Sequence, residues 1–163
     1  MRDILQRYVQ LIDLLNKLCG WCLAVIMAVM SILIFWQVAA RYVFGSSLAW
    51  SEELSRFLMI FMVLMGAAVA LGKGSLIAVE IVPEMAKDSL KRWIRLSTHV
   101  VSLIFYAILI IYGWKLAKNF AGQIAPGTGI SMFWIYLSLP IGGFLLFLNS
   151  ISSMIKEFNQ AKG

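Results

Sequence analysis

The residues of this chain able to do chemistry are few, and most of them fall together. Gln37, Arg41, Trp50, Glu52, Glu53 and Arg56 bracket one short connection, and they supply two cations, two carboxylates, an amide and an indole. A charge at mid-bilayer costs ~2.5–3.5 kcal/mol on insertion scales and less towards the surface, so charged groups at that depth find partners. Glu52 and Glu53 stand four and three residues before Arg56, the spacing at which side chains meet on one helix face. Two uses suit the cluster: an internal network that fixes a helical hairpin, and a docking surface for another membrane subunit. Both can hold together.

The remaining reactive residues carry less. Cys19-Gly20-Trp21-Cys22 has C-x-x-C spacing, but a redox motif wants a βαβ context and a zinc site wants a second pair of ligands. Reduced thiols at the end of an apolar run act as small packing residues. His99 is the sole histidine; a haem would need a facing ligand, and none of the nine methionines stands at a supporting spacing. A packed, hydrogen-bonded imidazole is the expectation there. The sequence contains no nucleophile–base arrangement, no phosphate loop and no carboxylate pair deep in an apolar run. It therefore predicts no enzyme, no metal and no cofactor.

The elements that must position the cluster are membrane spans. Of 163 residues, 61% are hydrophobic and 13% charged, against roughly 25% charged in a soluble domain. The apolar residues form long runs, as in a bilayer-spanning chain. The expected fold is an all-α integral membrane protein, one domain over 1–163. Residues 2–17 alternate Ile4, Leu5, Tyr8, Leu11, Ile12 and Leu15 with charged positions, which predicts an amphipathic helix lying in the membrane interface. The alternative is a helical extension of the first span. That span covers about 18–40, too long for the apolar core of a cleaved signal peptide.

The second span covers about 54–71. Ser51 is placed to cap it, with Glu52 and Glu53 in its first turn, where the helix dipole favours carboxylates. Gly66, Ala67, Ala68 and Ala70 form a strip of small residues suited to close helix packing. Residues 72–92 form a polar loop. The third span, about 93–114, is bracketed by Trp93 and Trp114, ~31 Å apart on a straight helix. A turn at 123–129 precedes the fourth span, about 130–151, with Pro140 and Gly142-Gly143 as an expected kink near its middle. Residues 152–163 form a tail. Trp21, Trp36, Trp93 and Trp114 sit where indoles prefer the headgroup level.

Of the 14 Lys and Arg residues, those of the N-tail, the 72–95 segment and the C-tail outnumber those of the other two loops. The positive-inside rule then puts both termini in the cytoplasm. The net charge of +6 is spread between the apolar runs, so it reads as a topology signal and not as a nucleic-acid footprint.

The residues of the hairpin carry a resemblance. Gln37-Val38-Ala39-Ala40-Arg41-Tyr42-Val43-Phe44 and Leu48-Ala49-Trp50-Ser51-Glu52-Glu53-Leu54-Ser55-Arg56 resemble the signature of the small, DctQ-like membrane subunit of tripartite ATP-independent periplasmic (TRAP) transporters. Trp134-Ile135-Tyr136 and Leu139-Pro140-Ile141-Gly142 are similar to that family's closing stretch. Phe133 stands where relatives often have Pro, and Leu76–Glu80 departs from the usual pattern after the second span.

The resemblance implies a non-catalytic scaffold subunit of the bacterial inner membrane. Its implied partners are a large multi-span membrane subunit in a one-to-one heterodimer, a periplasmic substrate-binding protein, and phospholipid. It also implies sodium-coupled uptake of an organic acid, of the C4-dicarboxylate or sialic acid class, through an elevator movement of the large subunit. The competing expectation is a self-sufficient small transporter or channel, which would place polar residues along a mid-membrane pathway.

Overall fold

The computed structural model describes residues 2–43, 45, 48–74 and 88–160; the side chains of 2–4, 88–96 and 157–160 lie outside the described set. Long apolar stretches leave the backbone no partner but itself in a bilayer, so they form helices. Four of the helical segments are long and apolar enough to cross a membrane.

The first helix, α1 (Arg2–Val43), runs unbroken for 42 residues, roughly 63 Å. No break separates 2–17 from the first span, so the segment is an extension of that span and not a separate helix in the membrane plane. The cause lies in what its inward face touches. Tyr8 Oη donates to the Leu148 carbonyl at 3.1 Å, Asp13 pairs with Lys156 at 2.8 Å, and Ile12 and Asn16 are buried.

Helix α2 (Ala49–Gly72) begins five residues before the expected span. The Leu48 carbonyl accepts from the Ser51 and Glu52 amides at 3.1 and 3.3 Å. That makes Leu48 the N-cap, without a side-chain cap, and puts Ser51 inside the helix. The helix closes on Gly74 in the left-handed region at φ +67°, with the Lys73 amide donating to the Val69 carbonyl, a common glycine-terminated ending. Residues 75–87 of the expected loop lie outside the described set. Helix α3 (Asp88–Asn119) carries the backbone of Trp93, whose side chain lies outside that set too.

The fourth span is two helices, α4 (Met132–Tyr136) and α5 (Ser138–Gln160), broken at Leu137. The expected kink falls three residues earlier than Pro140, because that proline has no N–H to offer the Tyr136 carbonyl and its ring crowds it. At the same break Ser138 Oγ donates to the Ile135 carbonyl at 2.7 Å. Helix α5 continues past Ile151 into the expected tail.

The long helices form an open row: α1 packs on α2, α2 on α5, and α5 on α3, with α4 against α3. A second contact joins the start of α1 to the end of α5, so both termini lie at one end of the row. The buried centre is small, built of Cys19, Ala68, Val69, Leu145 and Leu146. Such a row buries little, and large side chains on its outer helices stay uncovered, Phe35 at 74% and Val101 at 65% exposure. These surfaces suit lipid or another membrane protein and not water.

Within the Gly66–Ala70 strip Ala67 and Ala68 pack at the core, and the glycines of α5 make further close approaches to its neighbours. Ala68 is buried, but a Cβ added at Gly66 would meet nothing within 4 Å. At Gly142 it would lie 2.6 Å from Leu64 Cβ, and at Gly143 it would lie 3.1 Å from Ile110 Cγ1. We therefore expect Gly142→Ala to force α2 and α5 apart and cost ~1–3 kcal/mol by overpacking. Gly66→Ala should be neutral or stabilising by up to ~1 kcal/mol through helix propensity. Denaturation of the two variants in mixed micelles compares them, and equal midpoints would refute this packing account.

Candidate functional site

The end of the row opposite the termini holds the hairpin residues, and there the two adjacent carboxylates part company. Consecutive positions on a helix point about 100° apart. Glu52 faces outward and pairs with Arg56 at 3.1 Å, both side chains more than half exposed. Glu53 faces inward and does something the sequence did not announce.

Its Oε2 accepts three hydrogen bonds: from the Gly127 amide at 2.9 Å, the Thr128 amide at 2.6 Å, and Thr128 Oγ1 at 3.0 Å. Successive backbone N–H groups in a turn make a small concave anion site, and here a carboxylate of the same chain fills it. The turn is preformed. The Ala125 amide donates to the Ile130 carbonyl and the Met132 amide to the Gln123 carbonyl, each at 2.9 Å, while Gly129 takes φ +70°. Ser131 Oγ donates to the Ala121 carbonyl and accepts from the Phe133 amide, capping α4. Gly127 is required by proximity, since a Cβ there would stand 2.8 Å from Glu53 Oε2 and 3.1 Å from the Ala49 backbone. Glu53 thus ties the start of α2 to the α3–α4 connection.

The other expected members of the cluster are not drawn into this knot. Gln37 is half-buried and Arg41 exposed on the last turns of α1, and among the described residues Arg41 makes no ion pair with Glu52 or Glu53. Trp50 is exposed at the start of α2. What this end presents outward is Arg41, Trp50 and the Glu52–Arg56 pair.

Aromatic rings surround the connection. Trp114 and Phe133 meet edge to face at 6.3 Å, and Phe120 and Tyr136 lie tilted against each other at 4.8 Å. Lys115 and Lys118 lie over the Tyr112 and Trp114 rings, each at 5.2 Å, which lets two cations remain beside apolar surface. Trp21, Trp36 and Trp114 are exposed. Cys19 is buried in the core and Cys22 exposed, both as free thiols. His99 is half-buried on α3 and engaged by a neighbour.

At the termini end, Asn16 and Asn149 exchange two amide hydrogen bonds, 2.6 and 3.0 Å long, and Asn149 also donates to the Leu145 carbonyl. Sequence reasoning passed over this pair. The available signal was a lone amide, Asn149, within the apolar run of the last span.

A sequence profile described as the DctQ component of tripartite ATP-independent periplasmic transporters matches residues 30–160. The chain is 29% identical over 137 residues to the sialic acid TRAP transporter small permease protein of Vibrio cholerae, covering 84% of this chain and 78% of that protein. It is 28% identical over 151 residues to the sialic acid TRAP transporter permease protein of Haemophilus influenzae, covering 91% of this chain but 24% of that longer protein. To the C4-dicarboxylate TRAP transporter small permease protein of Vibrio cholerae it is 29% identical over 103 residues, 63% of this chain and 44% of that one.

Proposed function

Since the chain belongs to the DctQ component family of the tripartite ATP-independent periplasmic transporters, a family of transporter permease subunits and not of enzymes, we propose that it is the static scaffold of a sodium-coupled organic acid importer. It binds no substrate itself. It pairs one-to-one with a large membrane subunit that carries the substrate through the bilayer, with a periplasmic binding protein delivering that substrate. The cargo is a carboxylate of the sialic acid or C4-dicarboxylate class, in keeping with the names of its relatives. The chain sits in the inner membrane with both termini in the cytoplasm, as its Lys and Arg distribution favours.

One observation carries the scaffold reading. Glu53 is spent on an internal contact, while Glu52, Arg56 and Arg41 stand outside it, so the ionic residues divide between tying α2 to the α3–α4 connection and meeting something beyond it. A polar group at the edge of the bilayer is stabilised by a partner on another subunit. The relative four times longer than the matched segment also suits a small part joined to a larger permease. Scaffolding asks only that the row resist drag and tilt. The exposed indoles and the three hydrogen bonds that fasten α2 to the α3–α4 connection serve that end.

The test is affinity purification of the chain in mild detergent with the products of its neighbouring genes, read by native mass spectrometry, beside sodium-driven uptake into proteoliposomes. A one-to-one complex with a large membrane protein, and uptake only when both are present, is expected. Arg41→Ala and the Glu52→Ala/Arg56→Ala pair should lower complex yield severalfold while leaving the melting of the chain within ~0.5 kcal/mol, since exposed ion pairs contribute little to stability. Undiminished complex in these variants would remove them from the interface, and uptake by the chain alone would overturn the scaffold reading.

A further inference from the structure

Between α1 and the end of α2, at the end of the row that carries the termini, lies an open groove of about 570 Å³. Its one carboxylate, Asp13, is already matched by Lys156 at 2.8 Å. Lys17 and Lys73 also line it; both are exposed, and among the described residues neither side chain makes an ion pair or a hydrogen bond. Among the described residues, therefore, the groove carries two positive charges without a matching carboxylate. Its floor is made of small residues, Gly20, Ala24 and Gly72. Gly20 in particular leaves open space, since a Cβ there would meet nothing within 4 Å.

Two lysines on a surface are ordinarily just solvated. Here they border a groove whose rim holds the Trp21 indole, 68% exposed, and whose continuation along α1 is the apolar surface around Val25, 61% exposed. Indoles of this kind mark headgroup depth, and basic pockets between membrane helices take anionic lipid headgroups. A small free anion would satisfy the lysines and leave the indole and the small-residue floor uncovered. An amphiphile covers both.

The geometry points to a binding site for one anionic phospholipid, its headgroup between Lys17 and Lys73 and its acyl chains over Gly20, Trp21 and Ala24. Every group the site uses belongs to this chain. A lipid wedged between α1 and α2 would also fix the angle at which the long α1 leaves its neighbours.

The full chain in mild detergent, titrated with phosphatidylglycerol and separately with phosphatidylcholine, is followed by native mass spectrometry. One phosphatidylglycerol should bind in preference to phosphatidylcholine. Each lysine near a charged headgroup contributes about fivefold, so Lys17→Gln with Lys73→Gln should weaken binding about 30-fold. Gly20→Leu should block the site by filling it, with helix content by circular dichroism unchanged, because no protein atom occupies that space. Millimolar inorganic phosphate should not displace the lipid. Equal binding of the two lipids, wild-type affinity in either variant, or displacement by inorganic phosphate would each overturn the assignment, the last by reducing the groove to a simple anion site.

Discussion

Glu53→Ala is expected to free the 123–131 connection from α2 and to destabilise the folded chain by ~2–4 kcal/mol. Three hydrogen bonds converge on one carboxylate oxygen. Bonds to a charged acceptor contribute ~1.5–3 kcal/mol each, with incomplete additivity when they share a partner. Removing the acceptor also leaves two backbone N–H groups of a part-buried turn without a partner. Its neighbour provides the control: Glu52→Ala breaks only an exposed pair and should cost no more than ~0.5 kcal/mol. Glu53→Gln keeps an acceptor oxygen and loses the charge, so its cost should fall between. Gly127→Val should resemble Glu53→Ala, because the new side chain would meet the carboxylate and the Ala49 backbone. The decisive readout is hydrogen exchange at the Gly127 and Thr128 amides. Exchange as slow in Glu53→Ala as in the parent chain would show that the carboxylate is not what holds the turn.

This contrast between neighbouring glutamates also explains what the sequence revealed and what it hid. The Glu52–Arg56 pair is local, four residues apart on one helix, and helix geometry alone brings it together. The Glu53 contact spans 74 residues, and no periodicity encodes a partner so far along the chain. Four spans were legible because lipid demands long uninterrupted apolar runs. The break before Pro140 was legible in kind but misplaced, since a proline disturbs the carbonyl four residues before it and not its own position. Residues 2–17 were legible as a helix with one buried face. What covers that face was not, because an apolar stripe fits lipid headgroups and a neighbouring helix equally well. Gly66 is open within this chain, whereas Gly142 stands where another helix crosses. A small residue permits approach; only the fold decides whether a partner arrives.

The same argument applies with most force at Gly72, where the start of α1, the end of α2 and the end of α5 converge. Asn16 and Asn149 are 7% and 2% exposed and satisfy each other's amides. A Cβ at Gly72 would press on the Asn149 Oδ1 and the Asn16 Nδ2. Gly72→Ala should therefore cost ~3 kcal/mol, part overpacking and part lost amide pairing. Asn149→Ala alone should cost ~1–3 kcal/mol, because it strands the buried Asn16 amide. Combined, the two should cost clearly less than their sum, since truncating Asn149 removes one of the two amides that crowd the new methyl and leaves the Asn16 side chain room to turn away. Proteolysis offers a second reading of the same junction. Cleavage after Arg7 should accelerate in Gly72→Ala, as the start of α1 loses its hold on α5, and slow again in the double variant. Strictly additive costs, with no recovery of protection, would mean that Gly72 and the amide pair act separately.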